Sequence, residues 1–186
     1  MHRLFEKGFQ TLSLPFEWTL LKRAQLGEKE AFGKLYEFYV DRIYRFIFFK
    51  VRQEKEVAED LTADVFVKAW EHLGTFKKGS FQTWLYTIAR NRVIDYIRGV
   101  KQHVPLNEEL VDAKETVEET VIKTLVKEEV LKCLDSLTDE QREVVVLRFV
   151  NDLSHREIAQ IVGKREDAVR ALQYRAIKEI KEKVEV

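Results

Sequence analysis

Basic and aromatic side chains alternate along one stretch of the chain, a mixture that is typical of surfaces holding single-stranded nucleic acid. Residues 77–101 contain six bases and one acid, a local net charge of +5. The bases are Lys77, Lys78, Arg90, Arg92, Arg98 and Lys101, and the neighbouring rings are Phe76, Phe81, Trp84, Tyr86 and Tyr96. Rings can stack on nucleobases while cations follow the phosphates. A solvated basic face beside a core stripe of aromatics is the alternative.

A second basic excess lies near the C-terminus, in a pattern typical of a helix-turn-helix. Ser154 and Glu157 have the spacing of a capping box at the start of one helix. Gly163 suits a tight turn because glycine tolerates a positive φ. The next helix places Val169 and Leu172 against the first, and residues 164–183 hold seven bases against four acids, a net +3. A plain helical hairpin within a bundle is the alternative.

Patterns of catalytic and metal-binding residues are missing from the sequence. It has no Gly-rich phosphate loop, and its four histidines lie too far apart to have the spacing of zinc ligands. We therefore expect no enzymatic activity, no cofactor and no metal.

The single Cys133 excludes an internal disulfide and predicts a buried thiol in a reducing compartment. Apolar runs are far shorter than the ~20 residues of a membrane span, and we expect neither signal peptide nor membrane insertion but a cytoplasmic protein.

Helices must position these residues. The chain has 186 residues, 45% of them hydrophobic, with seven Gly and two Pro, a composition that favours an all-α fold. Apolar residues three and four positions apart predict helices over about 17–25, 29–52, 55–73, 81–97 and 117–134. The stretch from Val144 to Leu147 could form a strand, but the capping-box spacing of Thr138 and Gln141 favours a helix there.

An acidic segment separates the two patterned parts. Residues 104–120 contain six acids and one base, and they have little periodicity. This composition predicts a flexible acidic linker between two small helical domains. A long loop inside one domain is the alternative, although structureless loops beyond ~12–15 residues are uncommon. The predicted division is an N-terminal extension over 1–19, a first domain over 20–101, the linker over 102–118 and a second domain over 119–186.

Two blocks of sequence resemble one protein family in its own order. Residues 59–70 (EDLTADVFVKAW) and 81–98 (FQTWLYTIARNRVIDYIR) resemble region 2 of the extracytoplasmic-function sigma factors of bacterial RNA polymerase, a branch of the sigma-70 family. Residues 137–175 resemble region 4 of that family, including Glu157-Ile158-Ala159 and the Gly163 turn. The resemblance implies a non-enzymatic initiation factor that directs core polymerase to promoters. A helix-turn-helix regulator acting without polymerase and a protein-interaction bundle are the alternatives.

The resemblance also implies partners and the surfaces that contact them. The partners are core RNA polymerase, through the β′ clamp and the β flap, promoter DNA and, as a further candidate, an anti-sigma factor. The residues implied for the clamp are Asp60, Asp64, Phe66, Lys68 and Trp70. The two aromatic residues of this set, Phe66 and Trp70, lie one turn apart and could form an aromatic anchor, or both could be core residues.

Promoter contacts are implied on both domains. For the −10 element, the residues implied for the strand and an extruded base are Lys78, Ser80, Phe81, Asn91 and Asp95, with Arg90, Arg92 and Arg98 on phosphates. Asp95 could instead be a surface ion-pair partner. For the −35 element they are Arg165, Arg170, Ala171, Tyr174, Arg175 and Lys178. Two departures leave the −35 contacts open, since Arg165 stands where the family often has Ser or Thr, and Leu172 where it usually has Arg.

Overall fold

Every regular element in the described residues is helical, as the sequence predicts. The computed structural model describes residue 14 and residues 16–103 and 132–184. The first group of helices is α1 (Glu17–Gln25), α2 (Lys29–Lys50), α3 (Lys55–His72), a 3₁₀ turn (Leu73–Thr75) and α4 (Phe81–His103). The second group is α5 (Asp139–Val145), a π-helical turn (Val146–Val150), α6 (His155–Val162) and α7 (Glu166–Val184). The predicted linker lies almost entirely outside the described residues, as does most of the helix predicted over 117–134.

Helix α2 is the centre of the first group because its apolar stripe is fully covered. Leu35, Tyr39, Ile43 and Phe46 recur every three or four residues, and each is at most 2% exposed. Helices α1, α3 and α4 all pack against α2. This packing fixes α3 and α4 side by side, so that their outer faces form neighbouring surfaces.

The second group forms the helix-turn-helix that the sequence predicts. Ser154 Oγ accepts a hydrogen bond from the Glu157 N–H at 3.2 Å, and Glu157 Oε2 accepts one from the Ser154 N–H at 2.8 Å. Gly163 then ends α6 in the left-handed conformation, with φ 68° and ψ 34°. The corresponding capping box at Thr138 is also present, and the apolar run after it is helical. The helical alternative for this run is therefore confirmed.

The two groups of helices pack directly against each other. Helix α6 contacts α4, and the π-helical turn contacts α2. Buried side chains of both groups, from Leu20 to Leu172, belong to one continuous cluster. The sequence predicts two domains but gives no sign of this contact.

Cys133 is half-buried, whereas the sequence predicts a buried thiol. No described helix is long and apolar enough to cross a membrane.

Candidate nucleic-acid and protein interfaces

Helix α4 displays a polar stripe to solvent. Asn91, Asp95 and Arg98 are exposed and recur at helical spacing, so they lie on one face. Ser80 begins the helix, and its Oγ accepts a hydrogen bond from the Thr83 N–H at 3.2 Å. Lys78, in the loop before it, is also exposed. The structure thus brings five of the eight predicted −10 contacts to the surface around the beginning and outer face of one helix.

Two of the predicted phosphate contacts are paired with carboxylates. Arg90 Nε donates a hydrogen bond to Glu143 Oε1 at 3.0 Å, across the boundary between the two groups of helices. Arg92 Nη2 donates one to Asp64 of α3 at 2.5 Å. Both arginines are only half-exposed. Nucleic acid that uses either guanidinium must therefore replace a carboxylate that already holds it.

The predicted contact of Phe81 with the DNA strand is wrong, because this ring belongs to the core. Phe81 is 1% exposed and packs edge-on against Tyr39 and Phe76. Trp84, one turn along α4, tilts against both Phe76 and Phe81 and stays half-exposed. Trp84 is therefore the ring in this cluster that a nucleobase can reach. The sequence contains it within the basic stretch, but spacing alone does not separate it from the buried rings.

The face of α3 predicted to bind polymerase is charged. Asp60, Asp64 and Lys68 are exposed. Phe66, by contrast, is 5% exposed and packs edge-on against Tyr36 of α2, with ring centroids 4.7 Å apart. The prediction that Phe66 is an accessible anchor is therefore wrong, and the alternative that it is a core residue is correct.

Other apolar side chains are accessible at this face. Trp70 is half-buried against Phe32, with ring centroids 5.0 Å apart. Tyr36 is 42% exposed and Val67 is 55% exposed. The sequence pattern places Tyr36 on the buried stripe of α2, so only the structure identifies it as a surface residue. Asp60 and Val67 lie seven residues apart on the exposed side of α3, and together with Tyr36 they define a surface that we call the α2–α3 face.

All six residues predicted to contact the −35 element are exposed, five on α7 and Arg165 just before it. These residues are Arg165, Arg170, Ala171, Tyr174, Arg175 and Lys178. Tyr174 is 71% exposed. Arg170 Nη2 lies 2.6 Å from Glu166 Oε1, one turn earlier, and Arg165 Nη2 lies 2.8 Å from Asp167 Oδ2. These pairs are solvent-exposed, so they contribute little stability and can exchange for phosphate or a base.

The departure at Leu172 follows from the rotation of α7. Val169 and Ala176 are fully buried and Leu172 is 7% exposed, so this stripe faces inward. Val169 and Leu172 share a cluster with α6, whereas Ala176 packs with Val145 of α5. Gln173 is shifted to the edge of the exposed face, where its Oε1 lies 2.6 Å from His155 Nε2 at the start of α6. Neither Gln173 nor His155 is among the contacts predicted from the sequence. Leu172, which stands where the family usually has arginine, is thus a core residue. The adjoining Gln173 adds an amide to the outer surface.

Comparison with known proteins decides the family. The models of Sigma-70 region 2 and Sigma-70 region 4 match residues 35–102 and 127–180. RNA polymerase sigma factor YlaC of Bacillus subtilis is 34% identical over 162 residues, covering 84% of this chain and 93% of YlaC. The chain belongs to the extracytoplasmic-function sigma factors of the sigma-70 family.

Two further comparisons concern a second relative and the fold. ECF RNA polymerase sigma factor BldN of Streptomyces coelicolor is 40% identical over 165 residues, which are 86% of this chain and 62% of BldN. The solved structure of the sigma factor RpoE of Bartonella quintana, in complex with the anti-sigma factor NepR, has a TM-score of 0.69 at 23% identity. This alignment covers 83% of this chain and 97% of that chain. The structural likeness shows a common fold.

Membership of the family settles the class of function. A sigma factor binds core RNA polymerase, directs it to promoters and has no enzymatic activity of its own. The prediction of an initiation factor is confirmed, and the alternative of a regulator acting without polymerase is not favoured. Within the described ranges, no three potential metal ligands come together.

Proposed function

We propose that this sigma factor contacts the −10 element with α4, the −35 element with α7 and core polymerase with the α2–α3 face. The observation that carries the proposal is the exposure pattern of the two DNA helices. Each buries one apolar stripe and presents predicted polar contacts to solvent on the other side, Asn91, Asp95 and Arg98 on α4 and Arg170, Tyr174 and Arg175 on α7. Both surfaces are locally basic although the chain as a whole has a formal charge of zero. Cations concentrated on two faces supply the affinity for phosphates that the net charge does not.

At the −10 element, α4 offers the parts needed to hold an extruded base. Unstacking a base costs free energy, which ring stacking and hydrogen bonds can offset. Trp84 is the accessible ring, and Phe81 beneath it fixes its position. Asn91 can donate to and accept from the edge of a base, while Arg98 lies on the same exposed face and can contact a phosphate. The buried rings thus support the site rather than contact the strand.

At the −35 element, α7 supplies the contacts expected of a helix in the major groove. Arg170 is on the outer face with Tyr174, and the arginine fork matches the O6 and N7 acceptors of guanine. Arg175 lies further round the helix, where we assign it to phosphate. Gln173 adds an adenine contact, since an amide can bond to both N6 and N7. Glu166 and Asp167, at the start of α7, interact favourably with the helix dipole but repel the phosphates of DNA. The DNA should therefore approach α7 most closely further along the helix.

The remaining assignments extend this arrangement to the whole chain. We assign residues 1–19 to an extension, 20–101 and 119–186 to the two domains, and 102–118 to the linker. The protein acts in the cytoplasm, where core polymerase is, and the second domain contacts the β flap. An anti-sigma factor is proposed as a partner because RpoE of Bartonella quintana has this fold and is bound to one. The same surfaces that bind polymerase are available for such a competitor.

Polymerase binding is tested by charge reversal on α3. Asp60→Lys should weaken holoenzyme assembly by ~2 kcal/mol, or about 30-fold, if this exposed carboxylate is at the centre of the interface. Val67→Ala should weaken it as well, since this valine is a large apolar side chain of α3 that is 55% exposed. Asp41→Lys, an exposed reversal on α2, is the matched control. Assembly that is equally strong with all three variants would remove the α2–α3 face from the interface.

Strand opening is tested separately in assembled holoenzyme. Asn91→Ala should leave core binding unchanged and reduce open-complex formation, which permanganate footprinting of unpaired thymines measures. Phe81→Leu, a conservative core change, should alter thermal stability more than it alters opening. Normal opening by Asn91→Ala would overturn the assignment of the exposed face of α4 to the −10 strand.

A further inference from the structure

A short exposed loop leads from the 3₁₀ turn into α4 and carries two of the residues predicted to contact the −10 element. It comprises residues 76–80, and we call it the α4 loop. Lys77, Lys78 and Gly79 are all exposed, and Gly79 has a φ of +112°, a conformation that glycine adopts readily. At the downstream end, Ser80 caps α4. The three residues between Phe76 and Ser80 therefore depend on the two ends of the loop for their position.

The upstream end of the loop is held by a side chain from a distant helix. Gln25 is the last residue of α1, and its Nε2 donates hydrogen bonds to the carbonyl oxygens of Leu73 at 3.0 Å and Phe76 at 2.7 Å. The Phe76 N–H also donates to the Leu73 carbonyl, at 3.1 Å. One amide thus ties the beginning and the end of the 3₁₀ turn to α1, across 48 and 51 positions of sequence.

Helix α1 gives this amide a fixed base. Leu21 and Ala24 are 2% and 3% exposed, and they belong to the main hydrophobic cluster together with residues of α2. The Tyr39 hydroxyl of α2 donates a hydrogen bond to Glu17 at the beginning of α1. The Gln25 side chain is itself half-buried. The α4 loop is therefore attached to the core of the first domain through a residue outside its own stretch of sequence.

Phe76 connects this attachment to the accessible ring of the −10 site. Its side chain is 6% exposed, and its ring centroid lies 5.4 Å from that of Trp84. Its carbonyl accepts the shorter of the two bonds from Gln25. Lys78 follows only two residues later in the chain. A shift of the Phe76 backbone would therefore displace a ring that supports Trp84 and the exposed lysine at the same time.

A loop of this kind gains from being fixed before it meets DNA. Ordering each residue of a mobile loop costs conformational entropy, and a preformed site does not lose that entropy on binding. Fixed placement also affects selectivity, because a displacement of ~1 Å weakens a positioned contact strongly. A mobile loop adapts to any base, whereas a fixed loop rejects bases that do not fit it.

We propose that Gln25 is a positioning residue of the −10 site, which holds the α4 loop so that Lys78, Ser80 and Trp84 meet the extruded base in one arrangement. Gln25 acts on the strand through Phe76 rather than by touching DNA. The inference rests on the proposed −10 role of α4 and extends it to the loop before that helix. The competing explanation is a purely structural role, in which Gln25 adds stability to the first domain and leaves base preference unchanged.

Base preference separates these two explanations. Holoenzyme is incubated with a pool of short single-stranded DNA of randomised sequence, and the bound fraction is sequenced. Gln25→Met keeps the length of the side chain but removes both donated bonds, so the base enrichment of the parent chain should fall ~10-fold. Gln25→Lys returns a donor to the two carbonyls and should recover most of the enrichment. Thr19→Met, at an exposed position of α1, is the matched control and should behave like the parent chain.

The ratios between bases exclude a loss of stability as the cause. If Gln25→Met only lowered the folded fraction, binding to every sequence would weaken by one factor and the ratios would stay the same. Unchanged ratios for Gln25→Met therefore overturn the proposal, as does a parent chain that enriches no base. An equal loss in Thr19→Met, or no recovery in Gln25→Lys, overturns it as well.

Two further measurements keep the comparison decisive. Circular dichroism shows whether Gln25→Met is folded, and if it loses helix, Gln25→Glu takes its place under the same criteria. That carboxylate has the same size but presents acceptors to the two carbonyls. Hydrogen exchange of the free chain, followed by NMR, then tests the attachment itself. The Phe76 N–H should exchange faster in the Gln25 variant than in Thr19→Met, and equal rates mean that the amide does not hold the loop.

Failure of the proposed function has a different signature. Lys78→Ala removes a residue assigned to the strand and should weaken binding of the DNA pool by holoenzyme. If Lys78→Ala and Asn91→Ala both bind the pool like the parent chain, α4 and its loop do not contact the −10 strand. If Lys78→Ala weakens binding while Gln25→Met leaves the base ratios unchanged, the −10 assignment stands and only the positioning role of Gln25 is refuted.

Discussion

Replacing Leu172 with arginine should destabilise this protein, although the family resemblance leads one to expect arginine there. Leu172 lies between Val169 and Ala176 on the buried side of α7, in one cluster with the apolar residues of α6, and it is 7% exposed. Burying a leucine side chain contributes ~1.5–3 kcal/mol. The aliphatic stem of arginine can recover part of this while its guanidinium reaches solvent. The expected loss in the free energy of unfolding is therefore ~2 kcal/mol.

Urea denaturation followed by circular dichroism measures this loss. With a denaturant slope of ~1–3 kcal/mol/M for a small protein, the midpoint should fall by about 1 M. Ala171→Arg is the matched control, because position 171 is exposed on the same helix, and it should change stability by less than ~0.5 kcal/mol. Equal midpoints for the two variants would mean that α7 is rotated from its assigned position. The outward placement of Arg170 and Tyr174 would then be wrong as well.

Arg170→Ala should relax the preference at one −35 base pair by ~1–3 kcal/mol, whereas Arg175→Ala should weaken binding to all sequences and lower the salt slope by about one unit. Holoenzyme binding to −35 variants over a salt series measures both, and no effect of either would contradict the groove assignment. Ser154→Ala removes a cap oxygen of α6 and should cost ~1 kcal/mol in urea denaturation; an unchanged midpoint would argue against the capping box. Gly163→Ala should cost ~1–2 kcal/mol because its φ is +68°, although nothing lies within 4 Å of the added Cβ. Gly33→Ala, inside α2, should stabilise by ~0.5–1 kcal/mol, and effects of the same sign would contradict the two backbone conformations.

The helix-turn-helix could be predicted because its signals act over a few residues. The Ser154 hydroxyl and the Glu157 carboxylate satisfy backbone groups within the same turn, and Gly163 alone supplies the left-handed residue. No distant part of the chain needs to be known for these effects. The outer residues of α7 then follow from the helical period, and the structure has them exposed as predicted.

The contact between the domains could not be predicted from such signals. Glu143 meets Arg90 across 53 positions of sequence, and it stands in a run of charged residues typical of a solvated first turn. Nothing local distinguishes it from Glu140, which is exposed. Burial of a charge depends on cations supplied by another domain, and single-sequence periodicity carries no information about such a partner.

The exposure of aromatic residues could not be predicted from the sequence for a different reason. Phe66 and Phe81 were assigned to binding by their motifs, yet α2 and the neighbouring rings cover them. Tyr36 shows the reverse, since its spacing fits the core stripe although 42% of it is exposed. Helices that contact several neighbours have a wide apolar face, and the period alone does not locate the edge of that face.

The hydrophobic cluster that continues from α2 through α4 into α6 makes the domains dependent on each other for their folding. Phe46, Val93 and Ile158 are fully buried in this one cluster, so the full chain should absorb heat in a single calorimetric peak. Small domains bury too little surface to be robust alone. Each group of helices should therefore be less stable when it is produced without the other, because the apolar side chains that they share would then be exposed to water.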